Sequence, residues 1–254
     1  MRKKISITII SLCLCCFYAC ILSSNEDLED SYPTIIYSLS DDELAELQSE
    51  FDLLNNNKID TRLDQFGYTG FTADYRASEK NISDSSTVIQ MANSALVKNV
   101  KFTNILNTSM LRVDRFFKTP NGSWKIFFNE QVYKGLRIDG TTIVVYLNSD
   151  GVYRIDNHFY KDIYVPGKAE LSESEAKESL IGKEIGLMGH YFTITNSVFS
   201  DKKTQRAIIP VHTDTTIEFR IAWEIYIGEP GCDWTIYVDI ITGEEIKIVQ
   251  NFMT

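Results

Sequence analysis

Residues 130–151 read Glu-Gln-Val-Tyr-Lys-Gly-Leu-Arg-Ile-Asp-Gly-Thr-Thr-Ile-Val-Val-Tyr-Leu-Asn-Ser-Asp-Gly. Gly135 and Gly140 punctuate the passage into a strand over 141–147. Asn148-Ser149-Asp150-Gly151 then supplies the turn that returns the chain through a strand over 152–160. Upstream, a strand over 111–118 meets the turn Thr119-Pro120-Asn121-Gly122, after which Trp124, Ile126 and Phe128 alternate. Alternation places those three side chains on one face of a sheet. Strands joined by turns this short run antiparallel. A calcium loop over 150–156 is excluded, because its ligand spacing is absent and a hairpin turn accounts for the Asp-Gly pair.

Helix signals lie on either side of this meander. Ser40-Asp41-Asp42-Glu43 is a capping box, with Leu39 and Leu44 as a hydrophobic staple across it. Leu44, Leu47, Phe51 and Leu54 form one apolar stripe, which ends at Asn55-Asn56-Asn57. A second helix is expected over 87–98, burying Val88, Ala92, Ala95 and Leu96, and 58–84 reads as irregular. Downstream, Pro166-Gly167 marks a boundary, and the capping box Ser172-Glu173-Ser174-Glu175 opens a helix expected to reach about Gly186. Strands are expected over 191–199, 205–212, 216–227, 233–241 and 244–249, with Phe219, Ile221, Trp223 and Ile225 supplying the apolar face. The fold class is therefore α+β, with two consecutive units over 40–165 and 168–254, each a helix packed on an antiparallel β-sheet. Trp124 and Trp223 should face the two cores.

The stretch 130–151 resembles the core of the fungalysin/thermolysin propeptide (FTP) domain. Gln131, Tyr133, Gly135, Ile138, Gly140 and the Asp150-Gly151 turn carry the likeness. Arg137 and Asp139 depart from that pattern, so the family's contacts at 137–139 do not transfer. Ile221-Ala222-Trp223-Glu224-Ile225, Trp234, Tyr237-Val238-Asp239 and Thr242-Gly243-Glu244 are similar to a PepSY domain, which follows the first module in thermolysin-like proenzymes. The two likenesses span roughly 85–250 in that order. They imply a chaperone and inhibitor of a metalloprotease. The chain ends at Thr254 with no catalytic part, so such a module is expected to act in trans, through its sheet surfaces.

The amino terminus carries its own signal. Arg2, Lys3 and Lys4 precede an apolar run over 5–18 that is too short to span a membrane. Phe17-Tyr18-Ala19-Cys20 looks like a bacterial lipoprotein signal, which would make Cys20 the lipidated first residue; an ordinary cleaved signal peptide is the other reading. Residues 21–39 are polar and acidic and are expected to form a flexible tether. Localisation would then be the cell envelope, as an outer-membrane lipoprotein with the membrane as one partner. Without the signal, 22 basic and 35 acidic residues remain, a net charge of −13, which argues against nucleic acid as a partner. Only Cys232 remains beyond Cys20, so no intrachain disulfide framework is available.

Motifs for chemistry are sparse. His158, His190 and His212 fall in strands or loops, and no His-Glu-x-x-His occurs. Asp233 beside Cys232 would raise a thiol pKa, the wrong direction for a nucleophile. No catalytic, cofactor-binding or metal-ligating residue is expected. Two functions follow: a lipid-anchored, non-catalytic protein that restrains or assists a secreted metalloprotease, or an envelope interaction module that takes a peptide along a sheet edge.

Overall fold

The computed structural model describes residues 32–55, 62–68, 75–76, 84–105, 111–120, 122–148, 151–161, 163–165, 171–187, 190–200, 202–229 and 232–251. The fold is α+β and is built from two main sheets. Strands β1 (Thr34–Tyr37), β2 (Tyr75–Arg76), β3 (Val113–Lys118), β4 (Trp124–Phe128), β5 (Val132–Tyr133), β6 (Leu136–Ile138), β7 (Ile143–Asn148) and β8 (Gly151–Asn157) come first. They are followed by β9 (Glu184–Leu187), β10 (His190–Thr193), β11 (Gln205–His212), β12 (Thr216–Glu229), β13 (Cys232–Asp239) and β14 (Glu245–Gln250). The helices are α1 (Asp41–Leu54), α2 (Ser85–Lys98), the single turn α3 (Val100–Thr103) and α4 (Glu173–Glu178).

One sheet has the order β2-β8-β7-β4-β3 and is antiparallel throughout. Helix α2 lies on it. Val88, Ala92, Ala95 and Leu96 join Ile126, Phe128, Ile143, Val145, Leu147 and Ile155 in one core, with Trp124 packed against it. The helix starts two residues before the expected Thr87, because Asp84 caps it by accepting a hydrogen bond from the Thr87 N–H at 2.9 Å. Helix α1 carries its expected capping box at Ser40 and Glu43. It buries Phe51 edge-on against Phe102, with ring centroids 5.0 Å apart.

The other sheet runs β14-β13-β12-β11-β6-β5, with β1 also paired to β12. β12 can take both because of its length. β1 covers 216–219 on one side of it, and β13 covers 222–229. Tyr32 bridges this seam: its hydroxyl donates to Asp239 Oδ2 at 2.8 Å and accepts from the Ile221 N–H at 3.0 Å. The tether expectation is thus corrected for its last residues. Ile36 and Tyr32 pack on the core around Phe219 and Ile221, which offsets the ordering cost of so short a strand. Residues 21–31 lie outside the described residues.

Two further differences concern strand pairing and the length of α4. β5 and β6, expected within the first unit, belong to the second unit's sheet, where β6 pairs parallel with β11 at Arg137–Ala207 and Ile138–Ile208. The sheet is therefore not purely antiparallel, and strand pairing crosses the proposed boundary, whose Pro166-Gly167 lies outside the described residues. The β5–β6 hairpin is made by Lys134 and Gly135, with φ of 47° and 81°, the paired positive angles of a tight two-residue turn. Lastly, α4 stops at Glu178, well short of Gly186. Gly182, at φ 86°, breaks away so that its N–H reaches the Ile194 carbonyl at 2.9 Å, and β9 and β10 pair antiparallel beyond it. Ala176 and Leu180 still bury against Ile225, Ile227 and Ile236.

Candidate binding edge and inter-sheet cleft

β3 is the terminal strand of its sheet among the described residues, paired with β4 alone. Its run Arg115-Phe116-Phe117-Lys118 breaks the period-two alternation that a half-buried strand follows. The consequence is visible in exposure: Phe116 is 41 % and Phe117 45 % exposed, on opposite faces of the strand. Register places Phe116 beside Ile126 on the helix-covered face, where its ring lies 6.2 Å from Trp124. Phe117 lies on the outer face, stacked on Phe127 at 5.8 Å. Arg115 lies over the same Phe127 ring at 4.5 Å. An aromatic strand with one free backbone edge offers N–H and C=O groups to another extended chain, together with apolar surface on both faces.

A cleft of about 700 Å³ opens beside this edge, between β3–β4 and the β5–β6 hairpin. Arg112, Arg115, Phe127, Glu130, Val132 and Arg137 are among the residues that line it. Arg137 is the hub of a half-buried charge cluster at the junction of the sheets. It lies 2.6 Å from Glu224, 2.9 Å from Asp139 and 3.4 Å from Glu130. Lys247 holds the other Asp139 oxygen at 2.5 Å, and Gln205 donates to Glu224 at 2.7 Å. Burial alone would raise the Glu224 carboxyl, but hydrogen bonds from Arg137 and Gln205 outweigh it and hold the group below its usual value. Asp139 is lowered in the same way: burial opposes, and Lys247 and Arg137 prevail. Glu130 moves up, chiefly through burial, with Asp139 and Glu224 adding to the effect of burial and Arg137 opposing it. Tyr237 of β13 donates its hydroxyl to Glu224 at 3.2 Å, so the cluster joins β6, β11, β12, β13 and β14.

The residues singled out in the sequence are not brought together. Cys20 lies outside the described residues. Cys232 opens β13, and His190 opens β10. His158 is exposed after β8. The Nε2 of His212 lies 2.8 Å from the Tyr160 hydroxyl, and burial shifts its pKa downward while Asp64 opposes. Among the described residues no three His, Cys, Asp or Glu side chains are grouped to hold a metal ion. Sequence reasoning missed Arg115, Phe116 and Phe117, although the doubled aromatic inside an alternating run was the available signal. It also set aside Arg137 and Asp139 as departures from a family pattern, and these two residues anchor the charge cluster.

No family model matches the chain, and no curated protein matches it. Among solved structures it is similar to the Bacillus megaterium YpeB C-terminal domain, with 17 % identity, coverage of 85 % of this chain and 99 % of that chain, and a TM-score of 0.35.

Proposed function

We propose that this chain is a non-catalytic binding protein that takes an extended segment of another polypeptide as an added strand on β3. The observation that carries the reading is the terminal position of β3 together with the exposure of Phe116 and Phe117. Main-chain hydrogen bonds along an edge supply affinity, and alternate side chains supply selectivity. The likeness of 130–151 and 221–244 to propeptide modules supports a secreted thermolysin-like metalloprotease as the partner, restrained or assisted in trans. A partner bound in trans gains nothing from covalent effective concentration, so that mode of action needs a standard interface of roughly 1,600 Å². The added strand would supply part of that area and the neighbouring cleft more. Lipidation at Cys20 would hold the protein at the cell envelope, where mass spectrometry of the mature amino terminus should find an acylated cysteine.

Titration of the full chain lacking residues 1–20 against thermolysin-like proteases tests the function. The expected result is saturable inhibition or protection that is lost in Phe117→Asp and retained after removal of 251–254. Peptide binding at β3 with no effect on any such protease would move the function to an envelope interaction module. Loss of neither inhibition nor peptide binding in Phe117→Asp would overturn the edge reading.

A further inference from the structure

The β3 edge is basic in an acidic chain. Arg112, Arg115, Lys118 and Lys125 surround it against Asp114 alone, a local net of +3, whereas the whole chain carries −10. Asp114 offsets little, since its oxygen lies 3.6 Å from Arg115 and both side chains are more than half exposed. Arg112, Lys118 and Lys125 have no ion pair among the described residues. Glu130, the other carboxylate of the cleft, lies 3.4 Å from Arg137. Lys118 and Lys125 instead lie over the Trp124 and Tyr146 rings, at 5.8 and 5.1 Å.

Resting on the edge-binding reading, we infer that β3 selects an extended peptide whose core reads acidic, apolar, apolar, acidic. The pattern follows from Arg115-Phe116-Phe117-Lys118 taken residue by residue across an added strand. Carboxylates stand opposite Arg115 and Lys118, and apolar side chains cover Phe116 and Phe117. Directly opposed side chains on neighbouring strands approach to about 5 Å between Cβ atoms, within reach of an ion pair. The pattern is palindromic, so it holds whether the guest runs parallel or antiparallel. The overall negative charge does not prevent an acidic guest from docking, because screening confines it to about 8 Å at physiological ionic strength and the local +3 acts at contact.

The test measures anisotropy of three labelled peptides on the full chain lacking residues 1–20: one with the core Glu-Val-Tyr-Glu, one with Gln-Val-Tyr-Gln and one with Lys-Val-Tyr-Lys. A fourth is the acidic peptide N-methylated at alternate residues, which cannot complete a strand ladder. The acidic peptide should bind about tenfold more tightly than the neutral one, a difference of about 1.4 kcal/mol, and the basic one more weakly still. The doubly substituted Arg115→Glu, Lys118→Glu protein should reverse that order; both side chains are exposed, and circular dichroism would confirm that the fold persists. Equal binding of acidic, neutral and basic peptides, with loss on N-methylation, would overturn the acidic selectivity and leave the edge reading standing. Binding that survives N-methylation, or no binding by any peptide, would overturn the edge reading itself.

Discussion

Phe219 in β12 and Phe117 in β3 are both aromatic residues within strands, yet Phe219 is fully buried and Phe117 is 45 % exposed. The difference lies in the neighbours. β12 is paired on one side by β11 and on the other by β1 and then β13, while its apolar face carries Ile217, Phe219, Ile221, Ile225 and Ile227 against two cores. Among the described residues β3 is paired with β4 alone. A central strand spends its aromatics on the core, and an edge strand keeps them available. The contrast separates residues that hold the fold from residues that can meet a partner.

Substitution at the two phenylalanines is the largest test of that contrast. Phe219→Ala should cost about 4 kcal/mol, since it removes a fully buried ring and leaves a cavity. Phe117→Ala should cost less than about 1 kcal/mol, as expected of a half-exposed surface site. Urea denaturation midpoints read both, and comparable losses would mean that β3 is as integral to folding as β12.

Next in size is the charge cluster at the junction of the sheets. Arg137→Met leaves Glu224, whose side chain is only 7 % exposed, without its cation and should cost about 2–3 kcal/mol at pH 7. The sign with pH is fixed. The folded pKa values of Glu224 and Asp139 lie below their unfolded ones, so their stabilisation is present above roughly pH 4 and is lost as pH falls through the folded values. The gap between the native protein and the variant should therefore narrow on acidification; a gap that stays constant between pH 7 and pH 3 would show that the loss is one of packing.

A smaller effect is expected at the seam beside β12. Tyr32→Phe removes the hydroxyl shared by Asp239 and the Ile221 N–H and should cost about 1 kcal/mol. Amide exchange should accelerate over 34–37, where β1 docks, with little change in β13.

The smallest effect concerns His212. Its folded pKa is lowered, chiefly by burial, so its neutral form is favoured and its contribution is present above the unfolded value near 6.5. That contribution is lost as pH falls. Because the residue is only partly covered and solvent screens it, His212→Gln should flatten the stability profile between about pH 5 and pH 7 by no more than about 0.3 kcal/mol.

Much of this architecture was legible residue by residue. The capping boxes at Ser40 and Ser172, the buried positions Val88, Ala92, Ala95 and Leu96, and the alternation through β4 and β12 are local patterns, set by hydrogen bonding and side-chain period within a few residues. Those patterns determined the α+β class. They could not assign β6 to a sheet, because its pairing with β11 joins residues about seventy positions apart and depends on no local period. Nor could they show that 34–37 docks as a strand, since the partner surface on β12 exists only once the second sheet has formed. The end of α4 was decided by the Gly182 contact with Ile194, twelve positions on and beyond the range of the helical period. The candidate edge shows the same division. The sequence carried Arg115-Phe116-Phe117-Lys118 in plain view, but only strand order makes β3 terminal, because a strand's position in a sheet is fixed by which distant segments pair with it.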